Sequence, residues 1–230
     1  LTPGHGFGVE TDGRSVRLSD RFGPELSFGH TLSSKMPDSR IALVKYALGG
    51  SGLAPGVGLG GWHPTDRNGH RRNQFDHAIR TLRNALSEKD IDGDGVRDLL
   101  IPAGIVWMQG ESDANANYEI AAAYEDNLAL LIQALRSELG VDSLPVVIGK
   151  ITDSRMAEDG SVMDYSTSVQ QAQARYAEGD PCAELVTVTD ALNYRENDPY
   201  HYDSDGFIRM GEAFAEAVLR LGRTCSPHAS

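Results

Sequence analysis

The chain has 230 residues, of which 40% are hydrophobic and 23% charged, the balance of an ordinary globular protein with room for one sizeable core. Its 33 acidic residues against 21 basic ones leave a formal charge of -12, which argues against nucleic acid or an anionic membrane as partner, because phosphate binding needs a basic face. No apolar run approaches the length of a membrane span.

In chain order, residues 1–22 form a polar, glycine-containing stretch without a strand-like apolar run, and the chain begins at Leu1, as a processed or incomplete product would. The first predicted strand is 41–48 (IALVKYAL), followed by the glycine turn Gly49–Gly52 and the glycine-rich run GLAPGVGLGG. A helix is predicted over 72–89, where Phe75, Ile79, Leu82 and Leu86 recur every three or four residues. The acidic loop 90–98 leads to a second strand, 104–108 (GIVWM), which ends abruptly in Gln-Gly-Glu-Ser-Asp. A helix over 120–139 and a strand over 145–151 (PVVIGKI) come next. A weaker helical pattern covers 163–177, a strand covers 184–189 (ELVTVT), and a last helix covers 206–221.

Short apolar strands alternating with helices predict one domain over 1–230, an α/β fold with a central parallel sheet. Right-handed crossovers bring all strand ends to one edge, and ligands bind beyond that edge. It receives three loops: GGSG, QGESD (109–113) and NDPYHYDSDG (197–206). Asp198 and His201, spaced D-x-x-H, suit a carboxylate that orients an imidazole acting as general base. Gly50 can offer an unhindered N–H and Gln109 an amide to an oxyanion, and Glu111 is a second acid able to orient His201. Alone, D-x-x-H fits a capping Asp beside a surface His, and GGSG fits a tight turn; their shared edge is what raises both above that.

WMQGESDA, GPELSFG (23–29), VKYALGGSGL (44–53) and DPYHYDSDGF (198–207) resemble the sequence blocks of the SGNH hydrolases, above all the family 6 carbohydrate esterases, which include acetylxylan and sialate O-acetylesterases. The similarity runs over nearly the whole chain. It implies a three-layer α/β/α sandwich that deacetylates acetylated sugars through an acyl-serine, with no cofactor for the chemistry. It also implies His201 as base, Asp198 or Glu111 as its orienting acid, and Gly50 and Gln109 in the oxyanion hole.

One family block is absent. The nucleophile of that family sits in a Gly-Gln-Ser-Asn segment after the first strand, and GQS occurs nowhere in this sequence. That first strand belongs between 41–48 and 104–108, and its loss exposes ladder groups costing about 1–3 kcal/mol each if buried unpaired. Against a total stability of roughly 5–15 kcal/mol, the chain is expected to need an N-terminal segment or a second polypeptide carrying the serine. Ser51 and Ser112 lie at the right edge, but neither is expected to sit before a helix, as a nucleophile elbow requires.

Asp90, Asp92, Asp94 and Asp98 occupy positions 1, 3, 5 and 9 of a calcium-loop pattern, with Gly95 at 6 and the Val96 carbonyl at 7. Position 12 is Ile101, so a structural calcium there is expected to bind weakly; the plain alternative is a solvated acidic loop. Cys182 and Cys225 both fall on the lower edge and can meet, and pairing would fit a secreted or periplasmic protein. Trp62 and His63 are candidates for a sugar platform, or for a cover over the sheet edge. The rival to an esterase is a carbohydrate-binding or calcium-dependent adhesion module that has lost its nucleophile.

Overall fold

The computed structural model describes residues 10–11, 16–17, 19, 21–66 and 73–225. Most of the polar stretch 1–22, and Arg72 at the start of the first predicted helix, lie outside them. A two-residue hairpin pairs β1 (Glu10–Thr11) with β2 (Val16–Arg17). Helix α1 (Glu25–Lys35) follows, an element with too mixed a pattern to be predicted. Residues 41–48 form no strand: Val44 and Leu48 are exposed, and the segment pairs with no strand among the described residues. The apolar composition of that segment was the whole basis for predicting a strand, and a strand also needs a neighbour.

Helix α2 (Gln74–Ser87) opens on Asn73, whose side chain accepts the Asp76 N–H at 2.8 Å. The parallel sheet consists of β3 (Ile105–Trp107), β4 (Val146–Gly149) and β5 (Ala183–Val186) in that order, with Ile105 opposite Val146 and Val146 opposite Ala183. Short α3 (Glu111–Ala114) starts right after the β3 loop. The helix predicted over 120–139 is two, α4 (Tyr118–Ala122) and α5 (Tyr124–Leu139), broken at Ala123. Then come α6 (Ser166–Gly179), a 3-10 turn at Val188–Ala191 where the last strand was expected to continue, and α7 (Ser204–Leu221).

Strand β4 is buried at every position, and its alternation divides the core. Val146 and Ile148 point into a cluster with Ile79 of α2, Leu128, Leu131 and Ile132 of α5, and Val169 of α6. Val147 points the other way, onto Met210, Phe214 and Leu221 of α7. Helices on both faces of a parallel sheet make the three layers of an α/β/α sandwich, and each fully buried Leu or Ile adds about 1.5–3 kcal/mol. On its outer side α7 meets α1 closely at Gly211, where a Cβ would lie 2.1 Å from the Pro24 carbonyl oxygen. Cys182 and Cys225 are disulfide-bonded, tying the start of β5 to the end of α7. Beside them the half-buried Arg136 donates to Asp180 at 2.7 Å. Among the described residues no helix is long and apolar enough to cross a membrane.

Candidate active site

Of the three loops predicted to matter, only QGESD leaves the end of a strand; GGSG follows the unpaired 41–48 run, and 197–206 follows the 3-10 segment. Trp107 ends β3, and Gln109 and Gly110 follow before α3 begins. Gly110 has φ 152°, and a Cβ there would lie 2.9 Å from Val169 and 3.0 Å from Ile151, so the turn needs glycine on both counts. Because α3 starts at Glu111, Ser112 lies in a helical turn after all, which corrects the expectation that no helix follows it.

Asp113 is the organiser of this edge, and sequence reasoning missed it. Fully buried, its carboxylate accepts the backbone N–H of Leu53 at 2.8 Å, that of Ala54 at 2.9 Å and the Gln109 amide at 2.7 Å. One carboxylate thereby locks the GGSG loop onto the QGESD loop. Burial pushes its pKa up, while the bonds from Leu53, Ala54 and Gln109 pull it back. Asp113→Asn should lower the unfolding free energy by about 2 kcal/mol, because the amide turns an NH₂ toward donors that need an acceptor. Urea denaturation of the two proteins checks this.

Gln109 is committed elsewhere than predicted. Its amide nitrogen donates to Asp113 and, at 3.1 Å, to the Ser51 carbonyl, which uses both its protons. Its own carbonyls receive the Tyr124 hydroxyl. Gly50 stands in the left-handed region, φ 69°, exposed, with its carbonyl accepting the Leu59 N–H at 2.7 Å. Ser51 is buried; its hydroxyl donates to the Leu48 carbonyl at 2.6 Å and accepts the Trp62 indole N–H at 2.8 Å.

That last bond corrects the reading of Trp62 as a sugar platform. Trp62 is only 6% exposed and packs edge-to-face on Tyr46 and Trp107, so it belongs to the core. His63 is half-buried, with Nδ1 3.0 Å from the Thr65 hydroxyl.

Asp198 and His201 sit on the turn between the 3-10 segment and α7. His201 Nδ1 is 2.9 and 2.8 Å from the two Asp198 oxygens. Partial burial would raise the Asp198 pKa, but hydrogen bonds from the Tyr200 N–H and from His201 outweigh it and hold the carboxyl below its usual range. An ionised carboxylate only accepts, so Nδ1 carries a proton, and in the neutral imidazole Nε2 is the nitrogen with the lone pair. The His201 side chain is 62% exposed, open to a substrate. Glu111 is near enough to feel His201, and burial raises its carboxyl above the usual range against opposing backbone hydrogen bonds. The carboxylate bonded to His201 is that of Asp198.

A groove of about 480 Å³ is lined by Val57, Gly58, Ser112, Asn115 and Ile120 among others, between the glycine-rich run and the start of α3. In the loop before β3, ligand oxygens of Asp90, Asp92 and Asp98 lie within 4.8 Å of one another. The loop folds on itself as a calcium loop does: Asp90 accepts the N–H groups of Gly93 and Gly95, and Asp98 that of Ile91. Asp94 instead accepts the Val96 N–H and, with Asp92, pairs with the Arg40 guanidinium. A triad of hard oxygens suits calcium, and Arg40 stands where its charge would compete.

A family profile described as carbohydrate esterase, sialic acid-specific acetylesterase, matches residues 9–220. Among curated proteins nothing matches significantly. A solved structure from Arabidopsis thaliana is similar at a TM-score of 0.63 and 22% identity, over 87% of this chain and 69% of that one. A carbohydrate acetylesterase from Xanthomonas citri is similar at a TM-score of 0.65 and 15% identity, over 94% of this chain and 46% of that one.

Proposed function

Since the chain belongs to the carbohydrate esterase, sialic acid-specific acetylesterase family, we propose that it hydrolyses acetyl esters on sugars through a serine acyl-enzyme. The observation that carries this reading is the Asp198–His201 pair, an exposed imidazole oriented through Nδ1 by an ionised partner. In the proposed reaction Nε2 takes the proton of a serine hydroxyl, and the serine oxygen attacks the acetyl carbonyl. The Gly50 N–H meets the oxyanion, while Gln109 holds the Gly50 loop through the Ser51 carbonyl. His201 then protonates the leaving sugar oxygen, and water, deprotonated by the same nitrogen, releases acetate.

The serine is proposed to come from polypeptide outside these 230 residues, an N-terminal segment or a second chain. Two features support that. Ser51 is buried and engaged on both sides, and β3 pairs only with β4 among the described residues, leaving Val106 exposed. A serine-directed phosphonate on the natural protein, followed by peptide mapping, tests this. Label on a Gly-Gln-Ser-Asn peptide is the expected result. Label on Ser112 would move the nucleophile into α3, and no label with retained sugar binding would leave a binding or adhesion module.

We also propose secretion or export to the periplasm, supported by the disulfide. A weak structural calcium ion is proposed at Asp90, Asp92 and Asp98, with the Val96 carbonyl as a further ligand and Asp94 free to join once released from Arg40. Calorimetric titration with calcium chloride is expected to give a dissociation constant of about 10⁻⁴–10⁻³ M, abolished by Asp90→Asn. Absence of binding at millimolar calcium sinks it.

A further inference from the structure

We propose that Thr152, just beyond the end of β4, is a positioning residue for the Asp198–His201 turn. Its structural half stands by itself, and its kinetic half rests on the esterase reading. Two tyrosines flank the turn, Tyr194 before it and Tyr202 after it, bridged to each other in antiparallel fashion with ring centroids 4.8 Å apart. Both hydroxyls converge on Thr152. The Tyr194 hydroxyl donates to the Thr152 carbonyl at 2.7 Å and lies 2.7 Å from the Thr152 hydroxyl, which also bonds the Tyr202 hydroxyl.

Proton counting orders these bonds. Tyr194 has spent its proton on the carbonyl, so the Thr152 hydroxyl must donate to Tyr194, and Tyr202 must donate to Thr152. The chain Tyr202 to Thr152 to Tyr194 to the Thr152 carbonyl uses every hydroxyl proton once. Burial raises the pKa of both phenols, so neither ionises near neutrality and the chain persists there.

This anchor differs from what shapes the turn. The turn keeps its form through its own bonds, Arg195 N–H to the His201 carbonyl at 2.9 Å and Asp203 N–H to the Asn193 carbonyl at 2.9 Å. Those bonds leave its place above the sheet undetermined. The hydroxyl chain ties both arms of the turn to one point at the end of β4, near Glu111, whose charge both phenols feel. His201 is exposed, so little else in its surroundings holds it.

The test compares Thr152→Val, Thr152→Ser and Tyr202→Phe in the natural protein, by hydrolysis of 4-nitrophenyl acetate and by amide hydrogen exchange. Thr152→Val should lower kcat about ten- to hundredfold with KM within about twofold of the parent, because a small misplacement of the base falls on the chemical step. Thr152→Ser, which restores the hydroxyl, should recover kcat to within about threefold of the parent. Exchange at Tyr200, His201 and Asp203 should quicken about tenfold in Thr152→Val while α5 is unchanged. Tyr202→Phe, which cuts one link and keeps Thr152, should move both readouts the same way and serves if the valine variant does not fold. Parent-like kcat and exchange in Thr152→Val, or a serine variant no better than valine, overturns the proposal. If the parent hydrolyses no acetyl ester, the esterase reading falls, and exchange alone decides the anchor: faster exchange confined to the turn upholds it, unchanged exchange overturns it.

Discussion

His201→Ala is expected to cut acetyl-ester hydrolysis by about a thousandfold or more, at unchanged thermal stability. A positioned general base contributes roughly 10²–10⁴ in rate, and loss of a triad member falls at the upper end because the nucleophile stays protonated. Stability should hold because the side chain is largely exposed and its bond to Asp198 is local. The companion variants separate the two acids. Asp198→Asn should be severe, since an amide oxygen accepts the Nδ1 proton without the charge that stabilises the imidazolium. Glu111→Gln should be milder, because Asp198 already occupies Nδ1. The measurement is kcat/KM on 4-nitrophenyl acetate and on acetylated xylan, with melting curves on the same samples. Equal losses at the two acids would assign the orienting role to both, and a parent-like His201→Ala would remove the mechanism.

The second large effect is on stability. Replacing Cys182 and Cys225 together by serine should lower the unfolding free energy by about 4 kcal/mol on the loop-closure account, since the bond closes a 43-residue separation. That is a large part of a stability of roughly 5–15 kcal/mol. Both cysteines are nearly buried, at 8% and 6% exposure, so the serine hydroxyls add a desolvation cost. Guanidinium denaturation of parent, variant and reduced parent measures it. The reduced parent should fall with the variant, and an unchanged midpoint in either would mean that the denatured chain is not constrained by this bond.

What the sequence disclosed depended on how local the deciding contacts are. The three strands of the sheet were legible because Val146, Val147 and Ile148 are apolar on both alternating faces, as only a covered strand tolerates. The spacing of Asp198 and His201 was legible because three residues separate the partners of the bond. Trp62 was misread because its partners, Ser51, Tyr46 and Trp107, are remote along the chain, and nothing in GGWHP announces them. The 41–48 segment was misread because apolar composition alone says nothing of a neighbouring strand, and without one the segment is not buried. Asp113 and Thr152 escaped for a related reason: although Gln109 is only four residues from Asp113, the Leu53 and Ala54 N–H groups lie 60 and 59 residues away, and the partners of Thr152 lie 42 and 50 away.

The Asp113 clamp has a consequence for motion. Sliding the glycine loop against the start of α3 would strip hydrogen bonds from a buried carboxylate, so thermal displacement of the two proceeds in concert, as one body. The tip at residues 55–59 is tied back as well: the Leu59 N–H donates to the Gly50 carbonyl at 2.7 Å, Gly58 bridges Ser51, and Val57 is buried. The glycine loop and the start of α3 therefore make one stiff wall of the groove, its parts held in register by a single buried carboxylate.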